Sequence, residues 1–256
     1  MEEIQAIREG YIYIHDMSAR RDTMNCCLFD VKNVLSGGFE MGNLWYNEPK
    51  TLDTAFDVIG DIVLSAASQQ YGGFTVPSVD EILEPYAEKS HKKLIEKYRG
   101  LGLDEETVQK VAWADLEKEM EQGFQGWEYK FNSVSSSRGD YPFITVTAGT
   151  RTSIYGKLAT IKMLEVRKNG QGKDGHKKPV LFPKIVFLYD ENLHGPGKPL
   201  EDVFEAGIEC SRKTMYPDWL SLTGDGYVPS IYKNMEKSSV RWDAAHSFLH
   251  GMKEAA

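Results

Sequence analysis

Two stretches near the N-terminus bring together side chains able to do chemistry. Tyr13-Ile14-His15-Asp16 ends an extended run in an imidazole and a carboxylate, and reactive groups gather at strand ends in α/β folds. The same two residues also suit a hydrogen-bonded pair that locks a turn. After a short polar loop comes Met24-Asn25-Cys26-Cys27-Leu28. Cys26, beside the Asn25 amide, is the redox candidate, whereas Cys27 reads as a small core hydrophobe. A cysteine near its reference pKa of about 8.5 stays mostly a thiol at neutral pH, the form that can donate hydrogen in radical chemistry. Adjacent Cα atoms lie only about 3.8 Å apart, too close for an unstrained disulfide between the two.

Further candidates lie downstream. Gly72 and Gly73, just past a helical pattern, suit positive φ, close approach of backbone to a ligand, or a simple helix C-cap. Ser135-Ser136-Ser137-Arg138-Gly139 offers hydroxyls, amides and one guanidinium directly before a strand, a set suited to phosphate, although serine-rich loops are also commonly just solvated. The loop 170–178, with Lys173, His176, Lys177 and Lys178, is basic and reads as flexible, so it could meet a triphosphate, but it lacks the ending of a Walker A loop. His246 and His250 have the spacing of two metal ligands on one helix face with no third ligand, so no metal site is expected. Cys210, on a predicted helix, reads as structural.

The elements that must hold these groups are those of a sizeable globular chain. With 256 residues, 41% of them apolar and 11% aromatic, a substantial core can close. A net charge of −8 and a pI near 5.4 argue against a surface that tracks nucleic acid. No apolar run reaches the roughly 20 residues needed to span a bilayer, and the N-terminus lacks the order of a signal peptide, so a cytoplasmic protein without a membrane partner is expected. Three cysteines do not make a disulfide framework.

Periodicity predicts a helix over 1–9, a strand over Tyr11–Ile14, and a helix from about Thr51 to Gln70. Ser78 with Glu81 predicts a capping box opening a second helix to about Lys97, and Asp104 opens a third, making 51–130 a helical block. A strand over Phe143–Thr147, a helix over 152–168, an apolar run over Val180–Leu188 and a helix over Leu200–Lys213 complete the pattern. Strands separated by helices predict an α/β architecture with parallel strands.

In order along the chain stand YIHD, MNCCL, a helix ending in QQYGGFT, SRGDYPFIT, LFPKIVF and a helix ending in ECSRKTMYPD. This succession resembles the anaerobic, class III glycyl-radical ribonucleoside triphosphate reductases over about residues 3–237. Tyr13 and Asp140 depart from residues common in that family. The resemblance implies part of a ten-stranded α/β barrel, of the ribonucleotide reductase and glycyl-radical enzyme type, with a helical block before the second group of strands. It also implies an enzyme that reduces ribonucleoside triphosphates to their 2′-deoxy forms: a glycyl radical generates a thiyl radical, which takes a hydrogen from the ribose, and formate is the reductant. Cys26 maps to the second redox thiol, with Asn25 beside it as catalytic. His15, Asp16, Gly72, Gly73, Ser136, Ser137 and Arg138 fall to substrate binding. ATP and dNTP effectors, a homodimer contacting through residues 51–70, a structural zinc and a radical-SAM activating enzyme belong to the same implication.

Several family features have no counterpart in the chain: the Met-Gly-Cys-Arg segment whose cysteine becomes the thiyl, the four-cysteine zinc site, the radical glycine and an N-terminal nucleotide-binding cone. The chain therefore reads as an internal segment, inactive alone and holding no cofactor itself. Residues 1–239 form the first part of the barrel, and 240–256 lose the resemblance. Synonymous codons for Val240–Ala256 exist that, read one base upstream, encode SPMGCRAFLSPWYERGG, so a frameshift near Ser239 is expected, with His246 and His250 accidental. The rival reading is a non-catalytic nucleotide-binding or dimerisation module. A glycyl-radical enzyme with a non-nucleotide substrate leaves the YIHD and MNCCL pair unexplained.

Overall fold

The computed structural model describes residues 26–70, 72–135, 141 and 143–223. The elements predicted over 1–14 and the tail from 240 lie outside that range. Seven strands and six helices are present among the described residues: β1 (Cys27–Leu28), α1 (Val31–Leu35), β2 (Phe39–Met41), β3 (Leu44–Tyr46), α2 (Leu52–Ser68), β4 (Phe74–Val76), α3 (Val79–Gly100), α4 (Glu105–Ser133), β5 (Ile144–Ala148), α5 (Ile154–Asn169), β6 (Lys184–Tyr189), α6 (Glu201–Thr214) and β7 (Asp218–Ser221). Five strands form one sheet in the order β1-β4-β5-β6-β7, with every pairing parallel. β2 and β3 pair separately as an antiparallel hairpin.

Parallel strands need long crossovers, and here those crossovers are the helices. α3, α4 and α5 pack on one another, α2 on α3 and α4, and α6 on α5. The inward stripe of α4 is Val108, Ala112, Leu116, Met120, Phe124, Trp127 and Phe131, the spacing of a helix face. The rings of Phe124 and Trp127 meet Phe56 of α2 edge to face, with centroids 5.0 and 4.9 Å apart. The Trp127 Nε1–H also donates to the Phe56 carbonyl at 2.8 Å.

Two helix starts differ from their sequence signals. Ser78 makes no side-chain cap bond and sits at φ 47°, so Ser78 and Glu81 do not form the predicted capping box. The buried Asp80 carboxylate takes over, accepting from the Glu81 N–H at 3.1 Å and from the Gly149 N–H at 2.9 Å. Thr51 likewise gives α2 no cap bond. The Leu52 and Asp53 N–H groups donate instead to Ser90 Oγ at 2.8 Å and to Glu119 at 2.9 Å. At α2 tertiary partners satisfy donors that a local cap usually serves, and at α3 a carboxylate inside the first turn accepts a donor of that turn.

Alternation along each strand sorts its side chains onto two faces. Phe74, Val76, Ile144, Val146, Ala148, Ile185 and Phe187 join the main core under the helices. Val186 and Leu188 point the other way and form a second cluster with Leu220. The register aligns Leu28, Thr75, Thr145 and Lys184 in one row across that second face. No helix among the described residues is long and apolar enough to cross a membrane.

Candidate active-site edge

Cys26 immediately precedes β1, and its sulfur accepts the Gly73 N–H at 3.3 Å. Cys27 pairs with Phe74 in register, and its own N–H donates to the Gly73 carbonyl at 3.0 Å. Period-two alternation therefore sends the two thiols to opposite faces. Cys27 goes to the helical side, packs against the main core and is half-buried, while Cys26 is exposed on the face that carries Leu28, Thr75, Thr145 and Lys184. Burial pushes the Cys27 thiol up, partly offset by a hydrogen bond from Gln70.

Cys26 lies at the edge where β1, β4, β5 and β6 begin. Gly73 stands beside it, with Phe143 leading into the next strand and the segment Leu181–Pro183 one strand further along the same edge. The Phe74 N–H donates to the Phe143 carbonyl at 2.8 Å, and the Phe143 ring meets that of Phe182 at 5.1 Å. The Lys184 ammonium sits 4.6 Å above the Phe143 ring. Tyr141, Phe143 and Leu181 are all exposed, giving this edge an apolar rim.

The opposite edge, where the strands end, is tied shut. Asp80 Oδ2, after β4, reaches the Gly149 N–H after β5, and the His194 Nε2, after β6, lies 2.7 Å from the Gly149 carbonyl. The Asp190 N–H donates to His194 Nδ1 at 2.9 Å, which leaves the Nε2 proton to make the bond to Gly149. Asp80 and His194 are buried. Structural hydrogen bonds thus link the carboxyl ends of β4, β5 and β6.

Asn132, at the end of α4, fixes the rim segment. Its Oδ1 accepts the Leu181 and Phe182 N–H groups at 3.2 and 3.0 Å, and its Nδ2 donates to the Phe182 carbonyl at 2.6 Å. One turn earlier, Glu128 pairs with Arg167 at 2.8 Å in full burial, and the Arg167 guanidinium also donates to the Pro183 carbonyl at 2.6 Å. Gln171 donates to Glu128 at 2.6 Å and clips the loop 170–178 at its base through two backbone bonds with Lys178. That loop, expected to be simply flexible, has a fixed base, and Lys173, Lys177 and Lys178 remain exposed on it.

Of the predicted site residues, Cys26 and Gly73 come together. Gly73 does not adopt positive φ, and a Cβ there would meet Phe143 O at 3.8 Å and Cys26 Sγ at 4.0 Å, ordinary contact distances. Its part is played by its backbone N–H. Gly72 lies beside it in the turn into β4. Asn25, His15, Asp16, Ser136, Ser137 and Arg138 lie outside the described residues, as do His246 and His250. Among the described residues no group of three His, Cys, Asp or Glu side chains could hold a metal. Cys210 is buried on α6, in keeping with a structural role. Sequence reasoning missed Asn132, Glu128, Arg167 and Gln70. The one available signal was Glu128 itself, a charge between Phe124, Trp127 and Phe131 on an apolar helix stripe.

A family model described as anaerobic ribonucleoside-triphosphate reductase matches residues 1–246. The chain belongs to that family. Among its relatives are the anaerobic ribonucleoside-triphosphate reductases of Enterobacteria phage T4, 35% identical over 222 residues, and of Haemophilus influenzae, 37% identical over 221 residues. Each match takes in 85% of this chain but only 36% and 31% of the relative. The Escherichia coli reductase matches at 35% over 224 residues, 85% of this chain and 30% of the relative. The chain thus spans about a third of the length of these reductases. The fold agrees: the anaerobic ribonucleotide reductase of Thermotoga maritima with citrate in the active site superposes with a TM-score of 0.58 at 17% identity, over 86% of this chain and 40% of that one. The structure of the same enzyme with dATP and CTP gives 0.57 at 16% identity, over 87% and 37%.

Proposed function

We propose that this chain is the part of an anaerobic ribonucleoside-triphosphate reductase that presents the second redox thiol, Cys26, to a ribonucleoside triphosphate. The carrying observation is the exposed Cys26 sulfur, held by the Gly73 N–H on the sheet face turned away from the helices. In the reaction the ribose 2′-hydroxyl leaves as water, and formate, oxidised to carbon dioxide, supplies the two electrons. Cys26 contributes a thiol S–H beside the sugar. Asn25 assists Cys26. His15, Asp16, Gly72, Gly73, Ser136, Ser137 and Arg138 bind substrate, the last three by offering hydroxyls and a guanidinium to the triphosphate.

The Thermotoga maritima relative holds dATP and CTP, which supports nucleoside triphosphates as substrates and effectors here. Pairing through residues 51–70 to a second copy, activation by a radical-SAM enzyme and a cytoplasmic setting belong to the same proposal. With three cysteines, this chain supplies too few thiols for the four-cysteine zinc site that the resemblance implies.

Residues 240–256 are proposed to be the right nucleotides in the wrong frame. Reading the encoding DNA from codon 230 onward in all three frames tests this. A shifted frame that continues through Met-Gly-Cys-Arg to a four-cysteine site and a radical-glycine motif supports an interrupted reductase. A stop in every frame would leave the non-catalytic nucleotide-binding module as the better reading.

A further inference from the structure

The carboxyl-terminal end of α2 reaches β1 through one side chain. Gln70 Nε2 lies 2.6 Å from Cys27 Sγ, with the sulfur as acceptor. α2 is itself anchored at its far end by Ser90 and Glu119 and along its length by Phe124 and Trp127. Gln70 lies two residues past the end of α2 and is tied to it by its backbone N–H, which donates to the Ala67 carbonyl at 3.1 Å, so its amide approaches Cys27 from a fixed point. Cys27 is the immediate neighbour of Cys26, and the two sulfurs must diverge if one is to face the reaction.

We infer that Gln70 is a positioning residue for the adjacent thiols: strand alternation sends Cys27 to the helical side of β1, and the Gln70 amide fixes the rotamer of its sulfur there, so that Cys26 alone is offered at the open edge. Its functional meaning rests on the reading of that edge as the reaction site, but the contact is testable without turnover. Donation from an amide favours the thiolate over the thiol, while burial disfavours it. Both act on Cys27, burial more strongly. The two influences make opposite predictions when Gln70 is replaced. Losing only the donor raises the pH at which Cys27 ionises, whereas losing only packing admits water and lowers it.

The test uses the full chain with Cys26→Ser and Cys210→Ser, leaving Cys27 as the single thiol, and follows thiolate absorbance near 240 nm against pH. Gln70→Leu keeps the apolar bulk and removes the donor; Gln70→Met is a second replacement with a different shape. The inference predicts that both raise the Cys27 midpoint by about one pH unit, the scale of a hydrogen bond to a charged acceptor. It also predicts that, with all three cysteines present at neutral pH, iodoacetamide labels Cys26 at least about tenfold faster than Cys27, in keeping with one exposed and one half-buried thiol. An unchanged or lowered midpoint in both variants overturns the inference, as does equal labelling of the two cysteines. Neither readout involves nucleotide: a failed midpoint shift counts against Gln70 alone and leaves the reductase reading untouched, whereas equal labelling also removes the exposed Cys26 on which that reading rests.

Discussion

Asp80 is fully buried, and its carboxylate is the joint between the start of α3 and the loop after β5. Burial drives its pKa up from the usual carboxylate range, against the Gly149, Glu81 and Arg151 backbone donors and the Arg151 charge that favour the ionised form. A carboxyl whose folded pKa lies above its unfolded value holds its proton more tightly in the folded state. Stability therefore falls as pH rises from the unfolded value, about 3.9, through the raised folded value, and is flat above it. Urea titrations from pH 4 to 8 should show the native chain losing stability relative to Asp80→Asn across that window; a difference that grows the other way contradicts the assignment. Cys26 stood out in the sequence as a candidate because its neighbours mark it. Asp80, Gln70 and the Glu128–Arg167 pair were not, since each acts through a partner at least 39 residues away. No local pattern encodes that proximity.

α2 and α4 meet where Gly123 lets a phenyl ring approach. A Cβ at Gly123 would come within 2.2 Å of the Phe56 ring, whereas one at Gly126, three residues on, meets nothing within 4 Å. Gly123→Ala should cost about 1–3 kcal/mol by overpacking. Gly126→Ala should stabilise by about 0.5–1 kcal/mol, because alanine loses less backbone freedom in a helix. Chemical denaturation of the two variants checks both, and similar behaviour of the pair would refute the packing. The long helices were legible because their apolar stripes repeat over many turns, and Asp104 caps α4 by accepting the Thr107 N–H at 3.0 Å. The short elements were not: β1, β2, β3 and β4 have two or three residues each, too few for alternation to register. The Ser78 signal misled because Ser78 takes the left-handed conformation and the buried Asp80 carboxylate, in the same first turn, accepts the Glu81 N–H.

Across the molecule, the helices cover one face of the parallel sheet and hydrogen bonds close the carboxyl ends of its strands. The amino-terminal edge of β1, where Cys26 is exposed, is the place proposed for the chemistry. The α/β class and the parallel sheet followed from the order of elements, but the edge carrying the site did not, because it depends on which strand ends are sealed. Membership of the reductase family extends over residues 1–246, while the reaction itself belongs to a protein about three times longer. The most direct test is formate-dependent production of deoxyribonucleoside triphosphates, under anaerobic conditions and after activation, by this chain joined in frame to a Met-Gly-Cys-Arg segment and the remainder of a reductase of this family. Turnover is expected in that protein, with its loss in Cys26→Ala and its retention in Cys27→Ala. Turnover that survives Cys26→Ala would overturn the role proposed for that thiol.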